Sequence, residues 1–197
     1  MTKTTRFLPA VVGAACGVLT VAALAAPVTY NIDPQHTFPA FRADHAGRST
    51  FTGRINETSG TIVLDKEAGT GEVNITMNME TLDFGIPGLE SHLKTEATAF
   101  DTAKYPTATY TGKLVDFNDG KPGAVDGTLN WRGVSKPVRL TIEKFVCAPS
   151  GRGGGEVCGA DAVGEFSRAD FGANFGQQMG FDMNVKLIIQ IEAQQAR

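Results

Sequence analysis

In "PQHTFPAFRADHAGRSTFTG", Pro34 to Gly53, two histidines stand nine residues apart among three phenylalanines and two arginines. Imidazoles beside cations and aromatic rings suit three kinds of role: a metal site, a catalytic pair, or one wall of a pocket. The chain holds one further histidine, His92. No two of His36, His45 and His92 sit at i,i+2 on a strand or i,i+4 on a helix, so spacing gives a metal site no support. A serine nucleophile elbow, a phosphate loop, a dinucleotide fingerprint and an H-E-x-x-H helix are all absent. None of these signatures supports a catalytic centre, a metal or a cofactor, and none of the three is expected.

Strand parity bears on which face those residues share. Nine is odd, so in an unbroken strand His36 and His45 face opposite sides, as do Phe38 and Phe41. Pro39 lies between the phenylalanines, and proline within a sheet marks an edge or a bulge. A bulge at Pro39 brings His36, Phe38, Phe41, Ala43 and His45 to one face, an aromatic wall with a polar group at each end. The plainer alternative makes the histidines hydrogen-bonded strand ends.

The elements that must position this stretch read as strands. "EVNITMNMETLDF" puts Val73, Ile75, Met77 and Met79 on one face and Asn74, Thr76, Asn78 and Glu80 on the other. The same period-two pattern recurs at Tyr110, Gly112 and Leu114, then at Val125, Gly127, Leu129 and Trp131. It returns at Val138, Leu140 and Ile142 and at Val185, Leu187, Ile189 and Ile191. Turn signals such as "NDGKPG" and "RGVSKP" separate the runs. Many such strands joined by short turns make an antiparallel sandwich or barrel. One stretch departs from the pattern: Leu89, Leu93, Ala97 and Phe100 recur at helical spacing before Pro106, which predicts a short helix at a barrel end.

The chain begins with Lys3 and Arg6, continues through an apolar run and reaches Ala23-Leu24-Ala25, the pattern of a secretory signal cut after Ala25. The same run is long enough to serve as an uncleaved anchor. Residues 1–25 are thus expected to be a signal peptide and 26–197 one domain, exported to the periplasm or secreted, with no stable membrane insertion after cleavage. Removing Lys3 and Arg6 leaves 16 basic against 21 acidic residues. An acidic domain of this kind is not a nucleic-acid partner. Cys147 and Cys158 remain, flanking "APSGRGGGEV". An even number of cysteines in an oxidising compartment argues for a disulfide across a hairpin loop.

Four ordered blocks carry a family resemblance. His36-x-Phe38-x-x-Phe41-Arg42-x-x-His45-x-Gly47-x-Ser49, "SHLKTEATAFDTAKYPTATY", "GTLNWRGVSKPV" and "RADFG" resemble the YceI-like family through nearly the whole mature chain. The resemblance implies an all-β, lipocalin-like eight-stranded antiparallel barrel with a short helical segment, often a homodimer. It also implies a periplasmic carrier that sequesters a long lipophilic molecule in an internal tunnel. Polyisoprenoids, isoprenoid quinones, fatty-acid derivatives or lipophilic toxic compounds are candidate ligands. Expected tunnel walls are Phe38, Phe41, Val73, Ile75, Met77, Met79, Tyr110, Leu114, Leu129 and Trp131. Leu89, Leu93 and Phe100 are candidates for a lid, and His36, Arg42, His45 and His92 for the head-group end. The alternative is a metal-binding or redox-partner stress protein whose barrel is filled by side chains.

Overall fold

The computed structural model describes residues 1–2, 26–151 and 153–197. Of the expected signal peptide, residues 1–25, all but the first two lie outside the described residues. Among the described residues, no helix is long and apolar enough to cross a membrane.

Alternating hydrophobicity resolves into strands β1 (Val28–Ile32), β2 (Phe38–His45), β3 (Ser49–Ile55), β4 (Thr58–Asp65), β5 (Thr70–Asn78) and the two-residue β6 (Leu82–Asp83). The helix α1 (Pro87–Thr95) follows, and then β7 (Thr107–Val115), β8 (Ala124–Trp131), β9 (Val134–Pro149), β10 (Glu156–Ser167) and β11 (Asn184–Gln195). Eight of these strands, in the order β1-β4-β5-β7-β8-β9-β10-β11, close into an antiparallel barrel because β11 returns to pair with β1. Closure removes the sheet edges that an open antiparallel sheet would expose.

The long strand β11 has two neighbours on one side. Residues 193–195 pair with β1, whereas residues 185–190 pair with β2. The first two strands therefore share one edge of β11, interrupted by the turn at residues 33–37. Thr37 bridges that break. Its buried hydroxyl donates to the Glu192 carbonyl at 3.1 Å and accepts from the Glu192 amide at 3.1 Å, standing in for a missing ladder pair. From β2 the sheet continues through β3 to β6, a flap beside the main ring.

The β8–β9 hairpin turns on Arg132 and Gly133, both at positive φ (53° and 75°), with Trp131 paired to Val134. Two residues in that conformation match the strand twist, so the turn fixes register. The Arg132 side chain then ties three segments together. Its Nε donates to the Phe171 carbonyl at 3.1 Å, Nη1 to Ala99 at 2.9 Å and Nη2 to Ala97 at 2.8 Å.

Helix α1 starts on Pro87, whose missing N–H is no loss in the first turn. The Glu90 carboxylate folds back to accept the amides of Phe84 (2.9 Å) and Ile86 (3.1 Å). The helix ends at Thr95, sooner than the spacing through Ala97 and Phe100 suggests: Ala97 is exposed, while the Phe100 amide still reaches the Leu93 carbonyl at 3.2 Å.

Candidate functional site

The barrel interior is not filled. It holds a cavity of about 360 Å³ whose walls are almost wholly apolar. On β5, Val73, Ile75 and Met77 line it, and Met79 follows in the 3-10 turn Met79–Thr81. On β7 and β8 the lining residues are Ala108, Tyr110, Leu114, Val125, Leu129 and Trp131. β11 contributes Val185, Leu187, Ile189 and Ile191. The period-two faces read from the sequence are thus the faces that meet the cavity. Leu89 and Leu93 of α1, with Phe100, line it at one end.

Room inside depends on small residues beside large ones. A Cβ on Gly127 would overlap the Tyr110 ring, which lies across β8 and donates from its hydroxyl to the Val138 carbonyl at 2.8 Å. Burial pushes the Tyr110 phenol above its ordinary pKa, so it stays a neutral donor. On β3, a Cβ on Gly53 would stand 2.6 Å from Cζ of Phe41 and 2.8 Å from Cε1 of Phe84. That glycine lets the two rings meet edge-on with centroids 5.5 Å apart.

The opening stretch divides differently from the bulge hypothesis. β2 pairs with β11 residue by residue, from Ala43↔Val185 to Phe38↔Gln190, without a register shift. Pro39, Phe41, Ala43 and His45 line the cavity, whereas Phe38 does not; its ring lies under the Arg54 guanidinium at 5.6 Å. Proline is tolerated without a bulge because β2 pairs with β3 only from Ala40 onward, so Pro39 occupies an edge position. Arg42 alternates to the exposed face and is no part of the lining. His36 sits in the β1–β2 turn, with Nδ1 2.8 Å from the Asp33 carboxylate, also outside the lining.

The histidines do not converge. His45 packs between Phe51 (4.6 Å between centroids) and Phe181 (5.3 Å) at the cavity wall. His92, on α1, stacks edge-on against Phe175 at 5.5 Å and faces solvent. Among the described residues the one group with metal-ligand types in reach is Cys147, Glu156 and Cys158. Cys147 and Cys158 are paired across β9 and β10 and joined in a disulfide, so no thiolate is available there.

Charge lies at the two ends. Near the disulfide, Glu156 Oε2 accepts from Tyr30 Oη and Lys66 Nζ, both at 2.6 Å. Burial works to raise the Glu156 pKa, but those two hydrogen bonds and the Lys66 charge hold it below its ordinary value. At the other end Arg168 lines the cavity, donating from Nη1 to the Ala173 carbonyl (2.9 Å) and from Nη2 to Phe175 (2.7 Å). Burial pushes its guanidinium below the usual value, and Asp182 opposes that from a distance. Sequence reasoning passed over Arg168, Phe175 and Phe181. They stand in irregular chain between β10 and β11, where no period marks a face, and the "RADFG" block was the one signal available.

A closed eight-stranded barrel with an apolar interior and a helix at one end defines the lipocalin-like class of binding barrels. The YceI-like domain model matches residues 30–193, and the chain belongs to that family. Protein YceI of Escherichia coli O157:H7 is 33% identical over 177 residues, covering 89% of this chain and 90% of that protein. Protein YceI of Salmonella arizonae is 32% identical over 180 residues, covering 90% and 92%. Among solved structures, Burkholderia cenocepacia BcnA is similar with a TM-score of 0.66 at 16% identity, covering 82% of this chain and 99% of that one. A domain from Saccharophagus degradans, described as polyisoprenoid-binding and implicated in plant cell wall breakdown, gives 0.60 at 17% identity, covering 86% and 99%. These two likenesses speak to the fold.

Proposed function

We propose that this protein is an exported carrier, periplasmic or secreted, that holds one long lipophilic molecule inside its barrel and works by sequestration without covalent chemistry. The observation that supports this most is the apolar cavity inside the barrel where a packed core would otherwise be. Protein interiors normally pack to crystal density, so an apolar void of this size leaves its lining without partner atoms. A flexible isoprenoid or acyl chain supplies them. Its affinity comes from removing apolar area from water, at about 25 cal/mol per Å² before ordering costs are subtracted. Met77 and Met79 suit such a guest, because an unbranched thioether adapts to an irregular chain. The polyisoprenoid-binding description of the Saccharophagus domain agrees with this reading.

Native mass spectrometry of the protein, purified from an exported fraction without added lipid, tests it. The expected result is a stoichiometric lipid-sized adduct that organic extraction removes and that a fluorescent fatty acid replaces. Bare mass together with no uptake of the fluorescent probe would overturn the proposal.

A further inference from the structure

Arg168 is the one lysine or arginine among the cavity's lining residues, and nothing in the lipid-carrier reading uses it. It stands directly after β10, with its amide bonded to the Met183 carbonyl at 2.9 Å. Two of its five donors hold the Ala173 and Phe175 carbonyls, and both of those residues also line the cavity. Among the described residues no carboxylate forms an ion pair with it.

The nearby acids are committed elsewhere. Asp182 Oδ1 accepts the Asn184 amide at 3.0 Å, and Asp44 accepts the amides of Gly47 and Asp182. The contrast with the opposite end of the cavity is direct. Lys66, beside Tyr30 and the disulfide, has its charge met by Glu156 at 2.6 Å. Lys66 is thus met by a carboxylate in contact, whereas Arg168 has only the charge of Asp182 without an ion pair.

A partly buried guanidinium that feels the charge of Asp182 but makes no contact ion pair is only partly compensated, and its remaining donors present a fork suited to a carboxylate or phosphate. Ordered carbonyls at Ala173 and Phe175 fix the orientation of that fork before a ligand arrives. We infer that the ligand is a lipid with an anionic head group, a long apolar chain ending in phosphate or carboxylate, and that its head lies at Arg168 rather than at the histidines. His45, between Phe51 and Phe181, then serves as wall beside the head group.

This inference rests on the lipid-carrier reading, and the experiment separates the two. Quenching of Trp131, the single tryptophan and a lining residue, reads binding of four probes: a long prenyl alcohol, its monophosphate, hexadecanol and palmitate. The unmodified protein is expected to favour each anion over its alcohol by about tenfold or more, the scale of a charge-assisted hydrogen-bonded pair. Inorganic phosphate at the same concentration should not compete, which places the head group on the lipid. In Arg168→Gln the preference is expected to fall to about threefold or less, with Arg168→Lys in between, because lysine keeps the charge and loses the fork. Should Arg168→Gln not fold, the unmodified protein still decides. A palmitate probe with a photoreactive group beside its carboxylate should label residues 166–181, and label at residues 156–160 would place the head at the Glu156 end and overturn the inference. Equal affinity for anion and alcohol would overturn it also, leaving the carrier intact. Binding of none of the four would overturn both.

Discussion

Met77 stands on β5 opposite Thr58 of β4 and Ala108 of β7, so a flexible side chain faces the cavity between two small neighbours. The change Met77→Trp should therefore extend into the void. A side chain that fills a cavity displaces the guest first, whereas overpacking a filled core costs about 1 to 3 kcal/mol of stability. The expected outcome is a fall of about tenfold or more in affinity for a fluorescent fatty acid, an effect near 1.4 kcal/mol or above, with a smaller change in the thermal melt. Unchanged binding in a destabilised variant would instead mark the position as packed core. Residue-scale reading from the sequence succeeded where alternation was uninterrupted, as at Val73, Ile75 and Met77. At Phe38 it departs from the structure, because of the two positions proline allows, bulge and edge, the aromatic wall was built on the bulge and the strand takes the edge.

At the scale of elements, the short hairpins were legible and the irregular connections were not. "NWRGVS" announces a two-residue turn between alternating runs, and β8 and β9 meet there with Trp131 opposite Val134. What the sequence concealed is that Arg132 reaches out of that turn to the carbonyls of Ala97, Ala99 and Phe171, joining the chain after α1 to the chain after β10. Hydrogen bonds that a charged donor gives to partly buried carbonyls, as at Ala99 and Phe171, carry roughly 1.5 to 3 kcal/mol each before their mutual dependence is counted, and the exposed one to Ala97 carries less. Arg132→Met is expected to destabilise the protein by about 2 kcal/mol. It should also raise amide hydrogen exchange selectively around residues 97–105 and 168–175. Uniform exchange across all strands would show that Arg132 does not tie those segments locally. Since Leu93, Phe100 and Phe175 line the same end of the cavity, faster ligand exchange should accompany the loosening.

For the whole molecule, barrel closure concentrates where β1 meets β11 over residues 30–32 and 193–195, with one further backbone bond at each end, Asp33 to Glu192 and Ala196 to Thr29. Glu156 reinforces that seam from several sides. Its carboxylate accepts from Tyr30 on β1 and from Lys66 in the β4–β5 turn, and its amide donates to Gln195 Oε1 on β11 at 2.9 Å. The carboxyl is held below its ordinary value, so the folded state binds this proton less readily than the unfolded chain does. That arrangement adds stability above the unfolded pKa of a glutamate, ~4.3, and loses it as pH falls through the lower folded value. Tyr30 runs the other way. Burial first, then the Glu156 hydrogen bond and charge, raise its phenol, so it remains a donor through neutral pH, where Glu156 is ionised. Urea unfolding at pH 7, 4.5 and 3 should therefore show a loss of stability between the last two that is shallower in Glu156→Gln, where no ionisation remains to be reversed. Asp44, Asp83 and Glu96 are also held low and will contribute in both proteins, which is why the difference between the two curves carries the test. Parallel curves would place the acid sensitivity in those three groups and leave the seam held by its backbone ladder alone.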